Sequence, residues 1–199
     1  MNVFVTGTDT DAGKTTVAAW LCSRIKTTYW KPIQTGDTSD SDVIRNVAPK
    51  TEILPNAYRL KAPLSAWDAA RSEDIQIDVQ RLEINRNRCV IEGAGGVFVP
   101  IAENFFMIDI IEKTRSTALV VARSKLGMIN HLLLTIFALR NRKIPILGIV
   151  ICGNIEQNIL KTIEHFSDER ILKILPETSD LKSLFETTPL PTEIVSVLS

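Results

Sequence analysis

Val3-Phe4-Val5-Thr6-Gly7-Thr8-Asp9-Thr10-Asp11-Ala12-Gly13-Lys14-Thr15-Thr16 opens the chain and decides how the rest is read. Three β-favouring residues lead into a small, polar, turn-prone loop. The loop closes on Gly-Lys-Thr-Thr and runs into Val17-Ala18-Ala19-Trp20-Leu21, which has helical character. A strand feeding a glycine-bearing loop and then a helix N-terminus is a cradle for phosphate. Successive backbone N–H groups and the helix dipole point at anionic oxygens. Lys14 is placed to reach the terminal phosphates of a nucleotide, and the Thr15 hydroxyl to ligate Mg²⁺. The generic pattern Gly-x-x-x-x-Gly-Lys-Ser/Thr wants its first glycine at Thr8, and here it stands one place earlier, at Gly7. The alternative is an ordinary strand–turn–helix junction capped by an Asp or a Thr. The placement of Gly-Lys-Thr between a strand and a helix favours the phosphate site.

Outward from this loop, short Val/Ile/Leu-rich runs recur at Tyr29–Ile33, Cys89–Glu92, Ala118–Ala122, Ile146–Ile151 and Ile171–Leu175. Most do not alternate, as expected of strands buried on both faces of a parallel sheet. Helical patterns lie between them, near Thr15–Lys26, Asp42–Val47, Leu64–Ser72, Val79–Asn85, Met107–Lys113, Ile129–Arg140 and Glu156–His165. Strand–helix alternation predicts a doubly wound α/β fold with helices on both faces, and ligands beyond the C-terminal strand ends. No repeat or linker divides the 199 residues, so one domain over 1–199 is expected. The tail after Pro176, rich in Ser, Thr, Glu and Pro, reads as a surface closure with one weak helix at Glu193–Leu198.

Composition excludes several classes. The chain carries 23 basic and 23 acidic residues, so no bulk field calls for nucleic acid or an anionic membrane. Cys22, Cys89 and Cys152 lie far apart in apolar runs, which is neither a disulfide framework nor a zinc pattern. No apolar stretch approaches the ~20 residues of a membrane span, and no signal-peptide pattern precedes the first strand. A reducing cytoplasm is the expected setting.

Four further segments carry chemistry. Trp30-Lys31-Pro32-Ile33-Gln34-Thr35-Gly36 ends a strand with a lysine facing the same crevice as the phosphate loop, although a surface lysine before a proline turn is the blander reading. Asp37-Thr38-Ser39-Asp40-Ser41-Asp42 offers oxygen ligands to a hard cation, or a cap at Ser41 or Asp42 for the following helix. Glu92-Gly93-Ala94-Gly95-Gly96 sets a carboxylate at a strand end before a glycine-rich turn, the place of a metal-orienting acid in phosphate-loop enzymes. Ser124-Lys125-Leu126-Gly127-Met128-Ile129-Asn130-His131 joins the strongest strand to the strongest helix, whose free N–H groups suit an anion such as a carboxylate.

Taken together these motifs resemble the dethiobiotin synthetases. The matching pieces are Gly7-Thr8-Asp9-Thr10-x-x-Gly13-Lys14-Thr15, Lys31-Pro32-x-x-Thr35-Gly36, Ser41-Asp42, Glu92-Gly93-Ala94-Gly95-Gly96 and Leu126-Gly127-x-x-Asn130-His131, in the family's order. The displaced first glycine is that family's form of the loop. The resemblance implies ATP-dependent carboxylation of a vicinal diamino acid, diaminopelargonate, with CO₂, and closure of a ureido ring. It implies Mg²⁺, no nucleic-acid or membrane partner, and a homodimer. Lys14 and Lys31 would be the catalytic cations. ATP would be held by Thr10, Asp11, Ala12, Gly13, Lys14, Thr15 and Thr16, by Glu92, Gly93, Ala94 and Gly95, and by Asn154 and Pro176. Thr35, Ser65, Gly127, Met128 and Asn130 would bind the diamine acid, the last three across the dimer. Thr15, Asp42 and Glu92 would set the metal.

Two departures stand out. The first helix-to-strand link, Lys26-Thr27-Thr28, is short. The family's adenine-contacting asparagine ends a strand of the form Gly-x-Val-x-Asn, whereas Gly148-Ile149-Val150-Ile151-Cys152-Gly153-Asn154 delivers its asparagine late, which allows relaxed nucleoside specificity. Two other readings share the loop. A cobyrinate-diamide-type amidotransferase would need a glutaminase domain. A partition or cell-division ATPase would carry a further lysine early in the phosphate loop, which Thr8-Asp9-Thr10 lacks.

Overall fold

The computed structural model describes residues 1–199. Strand–helix alternation builds β1 (Val3–Gly7), α1 (Lys14–Arg24), β2 (Thr28–Trp30), β3 (Ile33–Thr35), α2 (Asp40–Val47), β4 (Glu52–Ile53), β5 (Tyr58–Leu60) and α3 (Ala66–Ser72). There follow β6 (Cys89–Gly96), β7 (Pro100–Ala102), β8 (Phe105–Phe106), α4 (Met107–Lys113), β9 (Thr117–Arg123), α5 (Met128–Asn141), β10 (Ile146–Cys152), α6 (Gln157–Ser167) and β11 (Ile171–Leu175). Helices α7 (Leu181–Thr187) and α8 (Thr192–Leu198) end the chain.

Seven strands form one sheet in the order β11-β10-β9-β1-β6-β2-β4, and every neighbouring pair is parallel. The two-residue alternation of the strands splits their side chains between two cores. Phe4, Ile91, Val120 and Ile149 face one side, where α3, α4, α5 and α6 pack. Val3, Val5, Val90, Leu119 and Val150 face the other, under α1, α2, α7 and α8. Both faces are therefore apolar, which is why the strands read as continuous runs. β1 lies at the centre, flanked by β6 and β9. The chain leaves β1 through α1 and returns at β2, beyond β6, so the strand order reverses here and a crevice opens above the strand ends.

The structure corrects the sequence reading in places. Tyr29–Ile33 is not one strand. β2 stays in the main sheet, paired with β6 from Thr28↔Cys89 to Trp30↔Ile91, while β3 departs to pair with β5. Pro32 has no N–H for a ladder, and its carbonyl instead accepts from Ala57 and Tyr58. The same β2–β6 register shows that the short Lys26–Thr28 link reaches the sheet. The helix expected at Val79–Asn85 is a single 3-10 turn, Val79–Arg81.

The tail is more than a surface closure. Phe185, Ile194 and Leu198 are buried in the second core, and the Trp20 indole donates to the Thr188 carbonyl at 2.9 Å. Helix α7 was legible in one signal, Asp180, whose carboxylate accepts from the Ser183 N–H at 3.1 Å. The three cysteines are free and buried, as expected.

Candidate active site

The loop after β1 turns back on itself closely enough to require glycine at position 7. A Cβ there would lie 2.8 Å from the Asp9 carbonyl oxygen and 3.0 Å from Lys14 Nζ, which accounts for the early first glycine. Gly13 caps α1 with φ +99°, a left-handed conformation that disfavours any side chain. Lys14 is buried and donates to the carbonyls of Asp9 (2.8 Å) and Thr10 (2.9 Å). Burial, with the nearby Lys31 charge, pulls its pKa down to about 8. The end of β9 and the segment after it brace the loop from outside. Lys125 pairs with the Asp9 carboxylate at 2.9 Å and Arg123 donates to the Asp11 carbonyl at 3.3 Å.

β6 supplies the centre of the site. Val5 pairs with Glu92 and Gly7 with Gly96, so β6 spends four steps where β1 spends two. The three residues between, Gly93-Ala94-Gly95, stand where β1 has Thr6 alone and bulge over the phosphate loop. A Cβ on Gly95 would come within 3.8 Å of Thr10 Oγ1.

Glu92 is wholly buried. Its Oε1 accepts from Thr15 Oγ1 (2.8 Å) and Lys31 Nζ (3.0 Å), and its Oε2 from the Tyr29 hydroxyl (2.8 Å). A buried carboxylate is tolerable only with such a full set of partners. Lys31 is itself buried and also pairs with Asp40. Burial disfavours its charge, but Glu92 and Asp40 together outweigh burial and raise the Lys31 pKa above the ordinary lysine value. Burial, then Glu92, hold the Tyr29 phenol well above its usual range, so Tyr29 remains a donor.

Three residues of this constellation escaped the sequence reading. Tyr29 enters that reading only as the start of a strand candidate. Gln34, also buried, accepts from the Asp40 N–H at 3.2 Å and donates to the Thr35 carbonyl at 3.1 Å, tying β3 to the start of α2. Asp40 is the third, a member of the aspartate run in which the resemblance singles out Asp42 instead. Helix α2 begins at Asp40 after Ser39, not at Ser41 or Asp42. Asp42 consequently points to solvent, its side chain 63% exposed and paired with Arg45, whereas Asp40 faces Lys31. A two-residue offset on a helix is a turn of roughly 200° to the other face.

Other expected residues fall as follows. Thr35 is half-buried at the end of β3. Ser65 caps α3, its hydroxyl held between the Asp68 N–H (3.1 Å) and the Asp68 carboxylate (2.6 Å). Gly127 and Met128 line a groove with Asn154, Ile155 and Ile159, and Asn130 is exposed on α5. Asn154 thus lies beside Gly127 and apart from the cleft above Gly13 and Thr16. That cleft is lined by Arg123, Cys152, Pro176 and Glu177.

Thr15, Asp40 and Glu92 are oxygen donors only, which suits Mg²⁺ and not a soft metal. No three of the chain's His, Cys, Asp and Glu residues gather into a ready cage. Mg²⁺ fits such a sparse site, since it retains waters and takes ligands from substrate phosphates.

Comparison with known proteins agrees with this geometry. A family profile described as an AAA domain matches residues 1–184. The ATP-dependent dethiobiotin synthetase BioD of Paramagnetospirillum magneticum is 48% identical over 174 residues, covering 85% of each chain. That of Rhizorhabdus wittichii is 44% identical over 185 residues, covering 90% of this chain and 88% of the other. Among solved structures, a ParA family ATPase from Chlorobium tepidum superposes with TM-score 0.56 at 12% identity, over 98% of this chain and 92% of that one. At that identity the likeness concerns the fold alone. The profile match, the two relatives and the arrangement of Lys14, Thr15, Lys31 and Glu92 agree, and the chain belongs to the ATP-dependent dethiobiotin synthetase family.

Proposed function

We propose that the protein carboxylates a vicinal diamino acid, 7,8-diaminononanoate, with CO₂ and closes the product to dethiobiotin, converting ATP to ADP and phosphate in biotin biosynthesis. The carrying observation is the cluster in which Lys31 and Thr15 share one carboxylate oxygen of Glu92 at the mouth of the phosphate loop. It sets a second buried cation beside Lys14, at the crevice where phosphoryl transfer needs charge neutralised.

In this reading one substrate amine takes up CO₂ as a carbamate and loses a proton. A carbamate oxygen attacks the γ-phosphorus, and the bond to the β-phosphate oxygen breaks to release ADP. The neighbouring amine then attacks the carbamoyl carbon and expels phosphate, closing the cyclic urea. Positioning and electrostatics dominate such chemistry. Lys14 leaves its two loop carbonyls to hold the terminal phosphates, and the N–H groups from Thr10 to Thr16 cradle them. Lys31 faces the carbamate and the transferring phosphoryl group as a fixed positive charge. Its raised pKa suits that role and not that of a proton-transfer base. Thr15, Asp40 and Glu92 would hold Mg²⁺, directly or through water, and the ion would screen charge on the phosphate oxygens. Thr35, at the end of β3, is placed to hydrogen-bond the diamine acid.

The groove at Gly127 and Met128 would take the substrate carboxylate of a second copy of this chain. Supporting this, α5 exposes Leu134 and Phe137 one turn apart, and Leu126 in the loop before it is fully exposed. Replacing Leu134 and Phe137 by glutamate is expected to halve the solution mass and abolish turnover.

The direct test is phosphate release with the diamine, bicarbonate and Mg-ATP all present. Release should require the diamine. Release that ignores it would refute the assignment. No helix is long and apolar enough to cross a membrane.

A further inference from the structure

Glu92 receives its side-chain partners from two directions. Thr15 stands in the first turn of α1, above the strand ends, and Lys31 follows the last residue of β2. Tyr29 comes from within the second core. It pairs with Val90 in the β2–β6 register, so Glu92 lies two residues further along β6 on the same face. A diagonal neighbour of this kind is within reach of a long aromatic side chain. The phenol extends up the sheet and donates to Glu92 Oε2 at 2.8 Å.

The partners are divided unequally between the two carboxylate oxygens. Oε1 accepts from Thr15 Oγ1 and Lys31 Nζ, whereas Oε2 accepts from Tyr29 alone. Tyr29 and Glu92 are both 0% exposed, so bulk water substitutes for neither. The terminal torsion of a glutamate is broad and roughly two-fold, and by itself imposes little orientation. Without the phenol, Oε2 would be a buried anionic oxygen with no donor, and the carboxylate would turn to share the donors now held on Oε1. With the phenol in place, the Thr15 hydroxyl gives its proton to Oε1, which leaves the lone pairs of the Thr15 oxygen free for a cation. A phenylalanine ring would fill the same space in the core, so the hydroxyl is what tyrosine adds at this position.

We infer that Tyr29 is a positioning residue for the divalent cation of the proposed reaction: its phenol holds Glu92 by Oε2, and Glu92 in turn orients the Thr15 hydroxyl. The inference rests on the metal role proposed for Thr15 and Glu92 and adds the residue that aligns them. Groups that orient a metal's ligands from behind are typically worth 10–100-fold in metal affinity.

The test is Tyr29→Phe. Mn²⁺ binding in the presence of ADP is followed by electron paramagnetic resonance, and ADP affinity is measured separately in EDTA. Mn²⁺ affinity is expected to fall by about tenfold or more, with the metal-free ADP affinity unchanged. A folded variant whose Mn²⁺ affinity is unchanged, whatever its thermal melt, overturns the inference and leaves Tyr29 a core residue. Loss of both affinities together overturns it as well, since general disturbance of the phosphate loop would do that. No diamine enters these assays, so absence of diamine-dependent phosphate release would sink the proposed reaction and leave this result standing. Wild type carries a second measurement should the variant fail to fold. The chain has two tyrosines, and the other, Tyr58, accepts through its hydroxyl from the Asp78 N–H at 2.8 Å. With meta-fluorotyrosine incorporated and the signals assigned through Tyr58→Phe, the Tyr29 fluorine resonance should shift when Mg²⁺ is added to the ADP complex, because a cation drawing charge from Glu92 weakens the acceptor that the phenol faces. A Tyr29 resonance indifferent to Mg²⁺ overturns the inference.

Discussion

Replacing Lys31 by glutamine separates its two roles. In the folded chain Lys31 Nζ sits 3.0 Å from Glu92 Oε1 and also pairs with Asp40, with side-chain exposures of 5% for Lys31 and 0% for Glu92. Removing the ammonium leaves a buried carboxylate supported by two neutral hydroxyls, those of Thr15 and Tyr29. Breaking a buried pair from one side costs about 3–5 kcal/mol. The glutamine amide still donates to Glu92, which places the expected loss near the lower end, about 3 kcal/mol. For a chain of this length each kcal/mol moves Tm by ~2–4 °C, so the melt should fall by ~6–12 °C. Turnover should fall by ~10²-fold or more, the scale for losing one transition-state charge contact. Nucleotide affinity, which rests on Lys14 and the loop, should change little. Adding Glu92→Gln to Lys31→Gln removes the stranded charge and should return part of the lost Tm while turnover stays low. The sign with pH follows from the raised folded-state pKa. The stabilisation from Lys31 is full at neutral pH and is lost only as pH climbs past a value above the ordinary 10.5. Phosphate release at saturating substrates, calorimetric titration with ATP and thermal melts together decide the matter. Collapse of ATP affinity with turnover at saturation preserved, or a melt that moves by less than ~2 °C, would refute the reasoning.

Asp40→Asn should raise the Mg²⁺ concentration for half-maximal turnover by ~10-fold or more, and Asp42→Asn should leave that titration unchanged; the reverse pattern would restore Asp42 to the metal. In nucleotide-free, metal-free protein Lys14 has its pKa lowered from 10.5 to about 8 by burial and by Lys31. The unfolded chain keeps that proton to higher pH, so the stability of wild type relative to Lys14→Met should climb by ~3 kcal/mol between those two values. Comparing the two proteins cancels the opposite trend of the buried thiols, and a flat difference would show Lys14 to be solvated. Phe185→Ala should cost about 3–5 kcal/mol in a denaturant melt, because the ring is 2% exposed in the second core; a loss under ~1 kcal/mol would return the tail to the role of a loose covering.

What could be read in the chain, and what could not, divides by the range of the interactions involved. Strands buried on both faces announce themselves through local composition, and so do a phosphate loop and a glycine-rich bulge, since each is specified by consecutive residues. The break at Pro32 is equally local, since a missing N–H is visible in the sequence. The choice between Asp40 and Asp42 is of another kind. Both follow a serine, and both are acceptable near a helix start. What selects Asp40 is Gln34, six residues upstream on a different element, whose buried side chain accepts from the Asp40 N–H and so contributes to starting α2 there. One side-chain hydrogen bond between two elements thereby helps to set which face of a short helix meets Lys31. The same reasoning bears on Cys152 and Asn154. The asparagine comes late relative to the family pattern, and β10 runs to Cys152, paired with Arg123 on one side and Leu175 on the other. That register, and not the nearest matching letter, determines which side chain stands over Gly13. Residues at the ends of parallel strands inherit their function from their neighbours' register, so a departure from a family pattern at such a place changes what the site can recognise before it changes whether the chain folds.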